Sequence, residues 1–162
     1  MKRIAGFSLL ILALTSGCSR KPTSTDLFNQ DAAIPSGAPI QPLSWRVVTS
    51  SIDPGHQTMS TLFGNDAAIE SARTPAHTAY PAGSVLALVT WSQREDEHWF
   101  GGRIPQHFQS MEIVQVTQGT NGKLATTYER LEGVSLQKAS DTPADAEAKK
   151  NYILTQRTSV MP

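Results

Sequence analysis

The residues best suited to chemistry are concentrated in residues 90–105, which combine aromatic side chains with a histidine and an arginine. An aromatic wall with one guanidinium is typical of a concave site that holds a small molecule and orients its polar or anionic group. The alternative is ordinary core packing, with the glycine pair at positions 101 and 102 forming a β-bulge. The candidate pocket residues are Trp91, Trp99, Phe100, Arg103 and, from the strand expected to face them, Glu112.

Glu112 is the candidate acid or base of this pocket. It lies in a strand predicted over residues 109–117, on the same strand face as Val114 and Val116. Across a hairpin it would approach Arg103, and a half-buried carboxylate beside a guanidinium has a shifted pKa suited to proton transfer. The alternative is an ion pair at the strand edge, which contributes little to stability.

The histidines do not form a metal motif. None shows His-Glu-x-x-His or His-x-His spacing. Asp96, Glu97 and His98 are adjacent, and residues on a single turn rarely converge on one ion. The sequence therefore predicts no metal site. It also contains no Gly-x-Ser-x-Gly elbow and no phosphate-binding loop.

These residues are expected on an α+β domain, an antiparallel β-meander with flanking helices. The segment 84–93 is apolar on both faces, as in a central strand that is covered on both sides. Asn65 and Thr142 have N-cap chemistry, and Pro143 suits the first helical position. Strands are predicted over residues 45–51, 58–63, 84–93, 98–104, 109–117 and 124–131, turns over residues 53–55, 94–97, 105–108 and 120–123, and helices over residues 66–73 and 143–153.

Composition excludes several classes of protein. The chain has 162 residues, with 14 Lys and Arg against 14 Asp and Glu, and one cysteine, Cys18. One cysteine cannot form an intrachain disulfide or a four-cysteine zinc site. A formal charge of zero provides no field for binding nucleic acid.

The N-terminus has the pattern of a bacterial lipoprotein signal. Two basic residues precede an apolar run over residues 4–14, which is too short to span a bilayer, and small residues lead to Cys18. Residues 1–17 are therefore interpreted as a signal peptide and Cys18 as a lipidated N-terminus. The alternative is an ordinary secretory signal that leaves a free thiol. Ser19 follows the cysteine, which by resemblance to enterobacterial lipoproteins indicates the outer membrane, facing the periplasm.

A tether and one domain follow the signal. Residues 18–42 are rich in Pro, Ser and Thr and show no apolar period, so they are interpreted as the lipidated cysteine and a flexible tether. Residues 43–162 are sufficient for one domain with a modest core. The membrane is thus an expected partner, through the lipid.

A series of motifs runs through the domain: TMSTLFGNDAAI at 58–69, YPAG at 80–83, VTW at 89–91 and HWFGGRIP at 98–105, with Tyr128 and Gly133. Together they resemble the cytochrome P460 family, which shares its fold with the beta-type cytochromes c prime. The resemblance implies an antiparallel sheet with flanking helices, a homodimer, and a periplasmic c-type haem attached through Cys-x-x-Cys-His in the C-terminal segment. The counterpart here, residues 135–150, has neither cysteine nor histidine, so covalent attachment is excluded.

Three functions stay open at this point. The first is a lipid-anchored protein that binds a small ligand in the family's pocket without haem, and this is the principal prediction. The second is a protein with non-covalent haem that acts on hydroxylamine or nitric oxide, with His98 or His107 as the iron ligand. The third is a structural or partner-binding envelope protein. An oxidoreductase activity follows only from the second.

Overall fold

The computed structural model of the protein describes residues 28–74 and 78–158. Within them, six strands form one antiparallel sheet, in which each strand pairs with the next along the chain. This is the predicted α+β meander with helices. The strands are β1 (Arg46–Asp53), β2 (Thr58–Gly64), β3 (Val85–Glu95), β4 (Arg103–Gln118), β5 (Leu124–Glu132) and β6 (Gln137–Lys138), and the helices are α1 (Asp66–Arg73) and α2 (Pro143–Thr155).

Strand β3 lies between β2 and β4 and is covered on both faces, as predicted. Leu86 and Leu88 pack in an apolar core beneath the helices. Val89 and Trp91 pack in a second core on the opposite side of the sheet. We call the first side the helix face and the second the segment face.

Both helices pack on the helix face, through the fully buried side chains of Ile69 in α1 and Ile153 in α2. Asn65 caps α1 as predicted, because its side-chain oxygen accepts a hydrogen bond of 3.1 Å from the backbone N–H of Ala68. Thr142 caps α2 in the same way. Helices this short depend on tertiary packing for most of their stability, so the sheet determines where they lie.

The segment face is covered by residues 28–45, most of which belong to the predicted tether. The backbone carbonyl of Ala32 accepts a hydrogen bond of 2.9 Å from the indole N–H of Trp91. The part of the predicted tether that the structure describes therefore lies against the domain, because its scattered apolar side chains cover an otherwise exposed core. The side chains that pack there are Ala32, Ile34, Ala38, Ile40 and Trp45.

One long strand, β4, replaces a predicted strand, turn and strand. The sequence predicts a strand over residues 98–104 and a turn at Pro105, but residues 96–102 form a loop and β4 continues through Pro105. The register of β4 against β3 shifts twice near Trp91, so β4 contains extra residues at two bulges. A bulge interrupts the ladder and tolerates a proline, which explains why Pro105 does not end the strand.

The sheet has two distinct ends. At one end the turn over residues 54–57 joins β1 to β2, and the loop over residues 96–102 joins β3 to β4. Pairing of Thr58 with Ser92 places these connections side by side. We call this the hairpin end. The turn between β4 and β5, Thr120–Gly122, lies at the opposite end.

Several predicted features fall outside the described residues. These are the signal peptide over residues 1–17, Cys18, the tether up to residue 27, and His77. Lipidation of Cys18 therefore stays a prediction. Within the described ranges, every helix is too short or too polar to cross a bilayer.

Candidate functional site

The predicted aromatic pocket does not form, because its residues lie in separate places. Trp91 is buried on the segment face, where its indole N–H is donated to Ala32. Trp99 and Phe100 lie in the loop at the hairpin end, and Trp99 is 73% exposed. An aromatic wall requires side chains that converge on one space. The neighbouring glycines also lie in this loop and not at a bulge within a strand.

Arg103 and Glu112 also lie apart. They are separated by nine residues on the same strand, β4, which corresponds to roughly 30 Å of extended chain. Arg103 instead pairs with Glu95 across the β3–β4 hairpin, at 3.5 Å. The predicted approach of Arg103 to Glu112 is wrong because it required a turn at Pro105.

Glu112 nevertheless belongs to a group of polar side chains on the helix face. It is 9% exposed and lies opposite Arg130 of β5 in the sheet register. Its Oε2 accepts a hydrogen bond of 2.8 Å from the hydroxyl of Tyr128, also on β5. Burying a carboxylate costs free energy unless it is hydrogen-bonded or paired, so Tyr128 is a necessary partner.

Asp141 extends this group from the connection that precedes α2. Its Oδ1 accepts hydrogen bonds from the guanidinium of Arg130 at 2.6 Å and from the ammonium of Lys149 at 3.0 Å. Arg130 also pairs with Glu132 on its own strand. Strand β5 and helix α2 are thus joined by ionic contacts. We call this group the polar cluster, and its members are Glu112, Tyr128, Arg130, Glu132, Asp141 and Lys149.

The pKa values in the polar cluster follow from burial and from the neighbouring charges. Burial, and then the hydrogen bond to Glu112, raises the pKa of Tyr128 above its usual value. Burial alone would lower the pKa of Arg130, but the adjacent carboxylates outweigh it and raise that pKa. Burial would likewise raise the pKa of Asp141, but the hydrogen bond from Lys149 and the charge of Arg130 hold it below its usual value. Asp141 is therefore a carboxylate, and Tyr128 a neutral donor, at neutral pH.

The polar cluster does not fit a haem. Haem iron is held by His, Cys, Met or Tyr, and the polar cluster offers only Tyr128. Its hydroxyl is donated to Glu112, and its raised pKa disfavours the phenolate that would bind iron. The predicted candidates His98 and His107 are both exposed, His98 in the loop at the hairpin end and His107 on β4.

Metal binding has no donor set either in the part of the chain that the structure describes. Over residues 28–74 and 78–158, His, Cys, Asp and Glu form no group of three or more that could hold an ion. The adjacent Asp96, Glu97 and His98 are used locally. Arg94 pairs with Glu97 at 3.2 Å, and Asp96 accepts a hydrogen bond of 2.8 Å from the backbone N–H of His98.

Most of the polar cluster is missed by the sequence prediction, which contains only Glu112. One signal was available, because Tyr128 and Arg130 alternate on β5 and must share a face. Another was the position of Asp141 immediately before the N-cap Thr142. Neither signal indicates that Tyr128 meets Glu112 or that Asp141 meets Arg130, because those contacts depend on strand register and on the packing of α2.

The fold and the polar cluster together define an α+β domain, a β-meander with one core on each face and a charged cluster beneath its C-terminal helix. Comparison with protein families identifies it: the profile of the Cytochrome P460 family matches residues 43–128, more than half of the chain. The chain belongs to the cytochrome P460 family. The match ends at residue 128, before residues 135–150. Comparison with curated proteins gives no match.

Proposed function

We propose that this chain is a lipid-anchored protein of the bacterial cell envelope whose cytochrome P460 domain binds a small polar ligand without haem. The signal pattern that ends at Cys18 supports the anchor. Ser19 supports the outer membrane, on the periplasmic side. The absence of cysteine and histidine from residues 135–150 supports binding over redox chemistry.

The observation that carries the ligand proposal is the hydrogen bonding of Glu112. An ionised carboxylate accepts up to about four hydrogen bonds. Among the described residues, the hydrogen bond from Tyr128 is the only one made to the side-chain carboxylate of Glu112. The remaining lone pairs favour a ligand with N–H or O–H groups, such as a small amine or amide.

The polar cluster reaches solvent at its two cationic side chains. Arg130 is 23% and Lys149 34% exposed, so both reach solvent, while the Asp141 carboxylate between them is 13% exposed. A ligand that enters here would leave its acceptor groups beside the two cations and direct its donor groups towards Glu112. Such a site selects by hydrogen bonding and charge, which is how pockets with few polar groups obtain specificity.

The test is native mass spectrometry and visible spectroscopy of the full chain purified from a haem-replete host. We expect a colourless protein that retains a small molecule, whose occupancy falls in the Glu112→Gln and Tyr128→Phe variants. Glu129→Gln is the matched control, because Glu129 lies beside Tyr128 on β5 but pairs with Lys138 at 3.4 Å, outside the polar cluster. This control should retain the wild-type occupancy.

Other outcomes would overturn parts of the proposal. A Soret band with stoichiometric haem would refute the haem-free function and favour non-covalent haem, and His98→Ala and His107→Ala would then test the iron ligand. A mass without any retained molecule would refute ligand binding and favour a structural or partner-binding role. The same spectra report whether the chain forms the homodimer that the family resemblance implies. Partition into a detergent phase that persists in Cys18→Ser would refute lipid anchoring.

A further inference from the structure

The hairpin end carries several of the large apolar side chains that are exposed. Trp99 is 73% exposed and Phe100 is fully exposed, and both lie at the tip of the β3–β4 hairpin. Ile52, 54% exposed, lies at the same end, just before the β1–β2 turn. Exposed apolar side chains that share one end of a fold are typical of protein or membrane contacts.

The chain also leaves the domain towards Cys18 at this end. Asn29 donates a side-chain hydrogen bond of 2.6 Å to the backbone carbonyl of Pro105, two residues from the end of β4 at Arg103. The preceding residue, Phe28, is 70% exposed and adds a further aromatic group here. Nine residues lie between Cys18 and Phe28, and the ten Cα–Cα steps that join the two span at most about 35 Å when fully extended. An anchored chain therefore keeps the hairpin end close to the lipid surface.

The hairpin tip is held in one shape before any contact is made. Its loop is closed by backbone hydrogen bonds from Gly102 to Trp99 at 2.8 Å and from Asp96 to Gly102 at 3.0 Å. Gly101 has a φ of 76°, a left-handed conformation that favours glycine. Because the tip is ordered in advance, binding a surface through its aromatic pair costs less conformational entropy.

The charges of the hairpin tip indicate which kind of membrane surface it can bind. Residues 94–103 contain two arginines and three carboxylates, a net charge of −1 with His98 neutral. Two of the carboxylates are paired, Glu95 with Arg103 and Glu97 with Arg94. An anionic membrane would repel such a tip, whereas a zwitterionic one would accept it. Trp is moreover the side chain that membrane interfaces favour.

We propose that the hairpin end docks on the zwitterionic lipid surface in which Cys18 is anchored, with Trp99 and Phe100 entering the interfacial region. This inference rests on the proposed lipid anchor. It means that the domain is held in one orientation on the membrane, with the β4–β5 turn at Thr120–Gly122 pointing away.

The test uses the full lipidated chain reconstituted in vesicles of phosphatidylcholine and phosphatidylethanolamine that contain brominated lipid. The emission of Trp99 is obtained as the difference between the wild type and Trp99→Phe. We expect brominated lipid to reduce this emission several-fold, because bromine quenches only at contact. The reduction should weaken when phosphatidylglycerol replaces part of the lipid.

The matched control moves the reporter to the opposite end of the sheet. Leu124, 48% exposed, begins β5 beside Gln118, the last residue of β4. In the double variant Trp99→Phe, Leu124→Trp, the emission of the introduced indole should be unaffected by brominated lipid.

Mass spectrometry of the N-terminal peptide separates the two possible failures. A peptide without acyl chains would refute the proposed anchor and the docking that depends on it. An acylated Cys18 with unquenched Trp99 would refute docking alone and indicate that the tip faces a protein partner. Equal quenching of the reporters at positions 99 and 124 would also refute the single orientation.

Discussion

Replacement of Asp141 with asparagine is expected to lower the free energy of unfolding by about 2 kcal/mol at pH 7. Asp141 is the only member of the polar cluster that contacts both cations, Arg130 at 2.6 Å and Lys149 at 3.0 Å. Exposed ion pairs contribute about 0–1 kcal/mol and breaking a buried one costs about 3–5 kcal/mol. With side chains 13–34% exposed, these pairs lie between those limits.

The loss should depend on pH. Because the two cations hold the pKa of Asp141 below its usual value, the carboxylate stabilises the fold above the unfolded pKa of about 4. This contribution disappears as the pH falls through the lower folded pKa. The difference in unfolding free energy between wild type and Asp141→Asn is therefore expected to be fully present at neutral pH and to shrink in acid.

Urea unfolding followed by tryptophan fluorescence measures this difference at each pH. Glu147→Gln is the matched control, because Glu147 makes the same kind of contact on α2, to Lys150 at 2.6 Å, but is exposed. It should leave the urea midpoint unchanged. A loss for Asp141→Asn that is equal at pH 7 and in acid would show that its charge is not the cause. A loss equal to that of Glu147→Gln would refute the role of the polar cluster.

Three further substitutions test other parts of the structure. Tyr128→Phe should lower the unfolding free energy by about 1–3 kcal/mol, since buried Glu112 loses its donor. Trp91→Phe should make residues 28–45 more sensitive to limited proteolysis, since the hydrogen bond that holds this segment to β3 is removed. Asn65→Ala should cost about 1–2 kcal/mol in the same urea assay, because the side chain caps α1 and also bonds two backbone groups near β3.

Two of these substitutions have a matched control, and the third has an outcome that would contradict it. Tyr152, 49% exposed, supplies the same change in Tyr152→Phe, and an equal loss there would contradict the buried role of Tyr128. Cleavage of Trp91→Phe at the wild-type rate would show that apolar packing alone holds the segment. Asn65→Asp keeps the capping oxygen, and a loss as large as that of Asn65→Ala would contradict capping as the main effect.

The fold could be predicted where its signals are local. The two-sided apolar pattern of β3 defines a central strand, and Asn65 and Thr142 define helix starts through their own side chains. The sequence wrongly predicts a turn within β4, because Pro105 is a turn signal in isolation. Only the two bulges opposite β3, which depend on its register, make Pro105 compatible with a strand.

The candidate site could be predicted only in part, for the same physical reason. Glu112 stands out as a carboxylate in an apolar strand, but its hydrogen-bond donor Tyr128 lies on β5. The contacts that complete the polar cluster join β5 to the connection before α2 and to α2 itself. Residues 28–42 were predicted to be a tether because apolar side chains without a period carry no local signal. Their burial depends on the shape of the face that they cover.

The packing of this N-terminal segment imposes an order on folding. Its hydrogen bonds reach Trp91 and Pro105, 59 and 76 residues later in the chain. Contacts so distant in sequence form late, because a long loop must be closed before they contribute. We therefore expect this segment to reach its final position only after β3 and β4 have paired. Until then the apolar core of the segment face would be exposed, and an incompletely folded protein of this kind is prone to aggregation.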